Sequence, residues 1–196
     1  MNCEADCARL DKEPNRCAGK NGITDTLRGL KGYAEINPGK LRGVVIAVDA
    51  DTDPKQRLKE TVEAIKAADL KSPSKYSEIM PRVKEDEFAL AIIGVPSGNT
   101  AGNLDLLLFN AMQVTHADLI APLDDFCKQT QARNGHWAIG PKSKMRLRCT
   151  IAASYEDDPG LSLSYLLSRS DNPIDLNHGA FNSISEFLIA FEAKTR

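Results

Sequence analysis

From Ile23 onward the chain alternates between apolar stripes at helical spacing and short runs that are apolar throughout. Ile23, Leu27, Leu30 and Ala34 recur every three or four residues and predict a helix, which Asn37-Pro38-Gly39 then stops. The β-branched run Gly43–Val48 follows. Being apolar on both faces, it predicts an interior strand of a parallel sheet covered by helices. Asp53-Pro54 reads as an N-cap and first helical residue, and Leu58, Val62 and Ile65 continue a buried stripe to a helix end near Asp69. Lys71–Glu87 is charged, carries two prolines and reads as a loop. Phe88–Pro96 predicts a second buried strand, completing a strand-helix-strand crossover unit.

Beyond Pro96 the helical period dominates. The turn Ser97–Gly102 leads into the stripe Leu104, Leu107, Leu108, Ala111 and Met112. Thr115 with Asp118 has the spacing of a capping box, for a helix through Phe126 interrupted or kinked at Pro122. The segment Lys142–Tyr155 fits either period and is assigned to a helix, and short helices near Leu161–Leu167 and Phe181–Phe191 complete the chain. The expected fold is α/β: a small, mostly parallel sheet flanked by helices, with a helical C-terminal part. Residues 1–22 show no clean period and read as a poorly ordered or truncated lead-in, leaving 23–196 as one domain.

The 196 residues carry 27 acidic against 25 basic side chains, a net charge of −2, which argues against a general basic coat for nucleic acid but leaves room for a local patch. No apolar run approaches the roughly 20 residues that cross a bilayer, and the polar opening segment has no signal-peptide pattern. A cytoplasmic protein without a membrane partner is expected. The five cysteines, an odd number, then read as reduced thiols. Cys3, Cys7 and Cys17 cluster, but their spacing matches no common zinc pattern and no histidine lies near them.

The most informative stretch is Asp49-Ala50-Asp51 after the first apolar run. Strand alternation would turn both aspartates to one face, at the carboxyl end of a strand where open α/β sheets place ligands. Two such carboxylates repel unless a cation lies between them or one is protonated. All-oxygen ligation suits magnesium, with manganese as an alternative. The plainer alternative is a hydrated acidic turn in which Asp53 caps the next helix. Asp105, in the first turn of a helix, could either approach the same ion or simply favour the helix dipole. Ser97–Gly102 could cradle an anion, but it lacks the P-loop ending and reads better as a plain turn. Lys142, Lys144, Arg146 and Arg148 are the one concentrated basic run. They could hold phosphates or form a solvated face, and no aromatic residues interleave for stacking. His136 beside Trp137 could act as a general base but reads better as structural, while His116 falls in a helix's first turn and His178 in a loop.

The stretch Arg42–Asp53 resembles the metal-binding strand of Toprim-like proteins, and most specifically an uncharacterised bacterial branch of that superfamily. The superfamily includes topoisomerases, bacterial primases and the nuclease domain of the overcoming-lysogenization-defect family. The resemblance extends from about Ile23 to the C-terminus. It includes Val95-Pro96, Gly102-Asn103-Leu104-Asp105-Leu106-Leu107-Leu108 and the segment from Lys142 to Asp158-Pro159-Gly160. It implies a Rossmann-like α/β fold and magnesium held by Asp49 and Asp51, which would take the catalytic positions. Asp105 would stand where the branch has a glutamate, and Lys142, Lys144 and Arg146 would steer nucleic-acid phosphates. The implied activity is nuclease-like hydrolysis. The alternative is a non-catalytic binding or regulatory module. The family also uses a glutamate after an earlier strand. Glu4 is the nearest acid, but only three residues precede it, too few for a strand of about five or six. Either the chain begins downstream of its natural start or that glutamate is lost.

Overall fold

The computed structural model describes residues 20–134, 137–155, 158–169 and 174–196. In chain order these form α1 (Lys20–Ile36), β1 (Gly43–Asp49), α2 (Pro54–Ala67), β2 (Ile79–Met80), β3 (Ala89–Val95) and α3 (Leu104–Met112). A 3-10 turn (Ala117–Leu119), α4 (Ile120–Asn134), α5 (Ile139–Ser154), α6 (Leu163–Ser168), a second 3-10 turn (Gly179–Phe181) and α7 (Asn182–Thr195) follow. The α/β class and the helical C-terminal part are as expected.

The strands form one sheet in the order β1-β3-β2. Strands β1 and β3 run the same way: the Ala89 N–H donates to the Arg42 carbonyl at their start, and the Ala50 N–H to the Val95 carbonyl at their end. β2 is antiparallel to β3, with Ile79 opposite Ala91 and Met80 opposite Leu90. The sheet is therefore mixed, and two expectations change. Lys71–Glu87 is not all loop but contains β2, which at two residues is too short to leave a period-two signal. The central strand is β3, all seven residues of which are buried, whereas β1 is half-buried and lies at an edge among the described residues. β-branched residues favour a strand wherever it lies, so the run at Val44–Val48 could not distinguish edge from centre.

The chain divides into two compact units, one holding the chain up to Ala47 with Lys55–Ile93 and Ile189–Arg196, the other Val48–Pro54 with Gly94–Leu188. In the first, α1 meets the C-terminal end of α2 through a row of donors. The Thr24 hydroxyl donates to the Ala64 carbonyl (3.0 Å), Arg28 Nη2 to the Ala67 carbonyl (2.9 Å) and Lys31 Nζ to the Asp69 carbonyl (3.3 Å). The Ala64 carbonyl also accepts the Ala68 N–H, whereas the Ala67 carbonyl closes the helix and gains its donor from Arg28; the basic groups also suit the helix's negative end. Asp69 itself turns the chain in a left-handed conformation (φ 56°). The Leu70 N–H reaches the Ile65 carbonyl and the Asp69 N–H the Lys66 carbonyl, the paired bonds of a Schellman ending. At the start of β1, a Cβ on Gly43 would lie 2.7 Å from the Phe191 ring, so glycine is what lets that ring approach.

The second unit is built on helix packing. Phe109, Met112, Leu147, Ile151 and Leu166 are fully or almost fully buried in one cluster drawn from α3, α5 and α6. Thr115 is not the helix cap expected of it: its hydroxyl donates to the Met112 carbonyl, and His116 takes the N-cap position of the 3-10 turn. Nor does Pro122 end or interrupt the helix, since it lies in the first turn of α4, where its missing N–H removes no bond. Cys127 and Cys149 are unbridged, and burial pushes both thiols above their ordinary pKa. No single described helix is long and apolar enough to cross a membrane.

The hydrogen bond from Lys31 Nζ to Asp69 Oδ2 (2.8 Å) holds the Asp69 carboxyl below the usual carboxylate range and raises Lys31. A lowered carboxyl stabilises the fold above its unfolded pKa and loses that contribution as pH falls through the folded value. Asn tolerates the left-handed conformation, so Asp69→Asn isolates the charge. Wild type is expected to melt slightly above Asp69→Asn near neutral pH. The gap should close on acidification below the carboxylate range and shrink in high salt, as followed by circular dichroism.

Candidate functional site at the carboxyl end of the first strand

The described part of the site lies wholly in the second unit and is assembled from backbone outward. β1 ends at Asp49, Ala50 is completely buried, and Asp51 turns into a left-handed conformation (φ 51°). There it exchanges two backbone hydrogen bonds with Gly102: the Asp51 N–H donates to the Gly102 carbonyl (2.6 Å), and the Gly102 N–H to the Asp51 carbonyl (2.7 Å). Gly102 has φ 145°, and a Cβ there would lie 2.8 Å from both Pro96 Cδ and Leu106 Cδ2. Only glycine meets both demands, of conformation and of space.

That bridge brings the start of α3 to the end of β1. The Leu104 N–H donates to Asp49 Oδ1 (2.9 Å), and Asn103, the N-cap, accepts from the Leu106 N–H (2.9 Å). Two of the N–H groups that the first turn leaves unpaired thus have carboxylate and amide partners. The Ser97–Gly102 turn is itself closed by the Thr100 N–H on the Ser97 carbonyl (2.9 Å). Its helix end is already supplied with acceptors, which favours the plain-turn reading over an anion cradle.

Asp49 is exposed and Asp51 half-buried, on either side of the buried Ala50 at the sheet's carboxyl end. The alternation expected to align them does not operate, because the strand stops at Asp49 and Asp51 has left extended geometry. Asp105 is half-buried in the first turn of α3. Among the described residues no three His, Cys, Asp or Glu side chains come together in a group able to hold a metal, so Asp105 does not join the two strand-end acids as a third ligand. A carboxylate has about four lone-pair positions, and the Leu104 N–H takes one of those on Asp49. The donor set fits a magnesium ion that keeps several waters and uses one or two carboxylates; it does not fit an all-protein cage.

The basic run does not form one face. On α5 Lys142 and Arg146 stand one turn apart, while Lys144 and Arg148 fall on another side. Arg146 faces inward: its guanidinium pairs with Asp124 and lies 4.8 Å from the Phe109 ring centroid, with only 19% of its side chain exposed. Arg148 donates to the Leu161 carbonyl (3.2 Å), and Lys144 is exposed. His116 lies beside the Ser154 hydroxyl of α5 (3.3 Å), and His178 Nδ1 accepts from the nearby Ala180 N–H (3.1 Å). Glu4, His136 and the cysteines Cys3, Cys7 and Cys17 lie outside the described residues. Asn103 carries a sequence signal of its own, since an Asn directly before an apolar helical stripe marks an N-cap. No family model, curated protein or solved structure matches this chain.

Gly102→Ala is expected to lower unfolding free energy by about 1–3 kcal/mol through strain and overlap. Asn103→Ala should cost about 0.5–2 kcal/mol through the lost cap. Urea unfolding would measure both.

Proposed function

We propose that the chain is a Toprim-like, magnesium-dependent phosphoryl-transfer protein, a nuclease-like hydrolase acting on nucleic acid. The observation that carries this reading is the pair Asp49 and Asp51 at the carboxyl end of a strand parallel to its neighbour β3, beside the start of α3. This is the position at which open α/β sheets bind ligands. The family resemblance of Arg42–Asp53 and Gly102–Leu108 adds the chemistry. Asp49 and Asp51 would hold magnesium or manganese, and Asp105 would take part from the helix side through water or substrate. The bound ion would neutralise charge on a phosphoryl group and lower the pKa of a bound water. Of the basic residues on α5, Lys142 and Lys144 lie on different sides of the helix, and the exposed Lys144 is the better placed to meet a phosphate backbone. Arg146 is better suited to holding α5 against Asp124 and Phe109.

A second reading, a Toprim-like binding or regulatory module without turnover, is favoured by a specific observation. No third acid joins the pair among the described residues, and Asp49 already serves the Leu104 N–H.

The double variant Asp49→Asn/Asp51→Asn tests both. Under the first reading, wild type cleaves DNA or RNA oligonucleotides only with magnesium or manganese, and the variant loses the activity by a factor on the order of 10²–10³ or more. Under the second, nothing is cleaved, but magnesium still raises the melting temperature of wild type and not of the variant. A wild type that neither cleaves nor gains stability with magnesium overturns both.

A further inference from the structure

Within the first unit, which does not contain the strand-end acids, α1, the turn after α2 and the segment from β2 to β3 line an open cavity of about 320 Å³. Its apolar lining comes from Leu70, Met80, Phe88 and Leu90, the last two buried in the core beneath it. Around this lining stand four carboxylates, Glu35, Asp69, Asp86 and Glu87, but only two ammonium groups, Lys31 and Lys71.

These charges are not equivalent. Lys31 and Asp69 pair with one another (2.8 Å), and Glu87 accepts the Val83 N–H (3.3 Å). Glu35 also acts on Lys31 through its charge, at longer range than Asp69. Four carboxylates still share two ammonium groups, so negative charge is in excess beside an apolar, partly aromatic wall. A volume at the lower end of small-molecule pockets excludes a large cofactor. A ring and a thioether both accommodate flat apolar groups, and the ring face attracts cations.

We propose that this cavity binds a small organic ammonium ion, its apolar body against Met80, Phe88 and Leu90 and its charged head toward Glu35 and Asp86. The site is independent of Asp49 and Asp51 and does not require nuclease chemistry. Lys71 sets a limit on it, because a ligand with a second positive group would meet that ammonium at the rim.

Calorimetric titration of the full chain with phenethylamine, and separately with 3-phenylpropionate, tests the charge preference at constant apolar size. Saturable binding of the amine is expected, at least tenfold tighter than that of the carboxylate. Glu35→Gln/Asp86→Asn should weaken it by tenfold or more, with an unchanged melting temperature as the control for folding. Val83 is 68% exposed, so Val83→Trp can block the mouth without disturbing the core, and it should also abolish binding. Failure of the amine to bind, equal binding of the two probes, or wild-type affinity in either folded variant would overturn the proposal.

Discussion

The geometry at the end of β1 depends on one exchange of backbone hydrogen bonds, that between Asp51 and Gly102. Asp51 can take part only by entering a left-handed conformation, and Gly102 only by lacking a side chain. Once the two are joined, the start of α3 comes within reach of the Asp49 carboxylate, and Asn103 is set to receive the Leu106 N–H. Acid, turn and helix start therefore behave as one piece. Any cation or phosphate that engages Asp49 does so against an existing bond to a helix N–H. The aspartates thus have a structural role whatever chemistry they also perform.

The two units handle helix ends by different means. In the second, α3 carries its own cap, and the strand-end acid supplies a further acceptor. In the first, the end of α2 obtains its donors from a neighbouring helix, through a hydroxyl, a guanidinium and an ammonium on α1. The same principle governs Arg146. A guanidinium placed mostly out of water needs a carboxylate and a ring face, and Asp124 and Phe109 provide them. Charge counted along a sequence thus overstates charge available to a ligand.

Strong periodicity made the long elements legible. The stripes at Ile23–Ala34 and Leu104–Met112 and the run at Ala89–Val95 correspond to α1, α3 and β3 because a helix or strand must bury a continuous face. β2 was hidden because two residues carry no period, and the edge position of β1 because β-branching reports strand, not neighbours. At the site, the placing of Asp49 and Asp51 at the end of a strand, and of Gly102 in the turn before a helix, could be read from residue type and pattern. Their relation could not. Alternation is a rule for extended chain, and the left-handed turn at Asp51 cancels it. The spread of the α5 cations has a similar origin: residues two apart share a face on a strand and diverge on a helix.

The donor row of α1 carries a consequence of its own. Apolar stripes are forgiving, since leucine and isoleucine can trade places or slide by a residue with modest loss. Thr24, Arg28 and Lys31 meet three specific carbonyl oxygens, and a one-step slip would misalign all of them together. Greasy contacts thus supply adhesion between these two helices, while the polar row acts as a vernier, selecting a single alignment from several that hydrophobicity alone would tolerate.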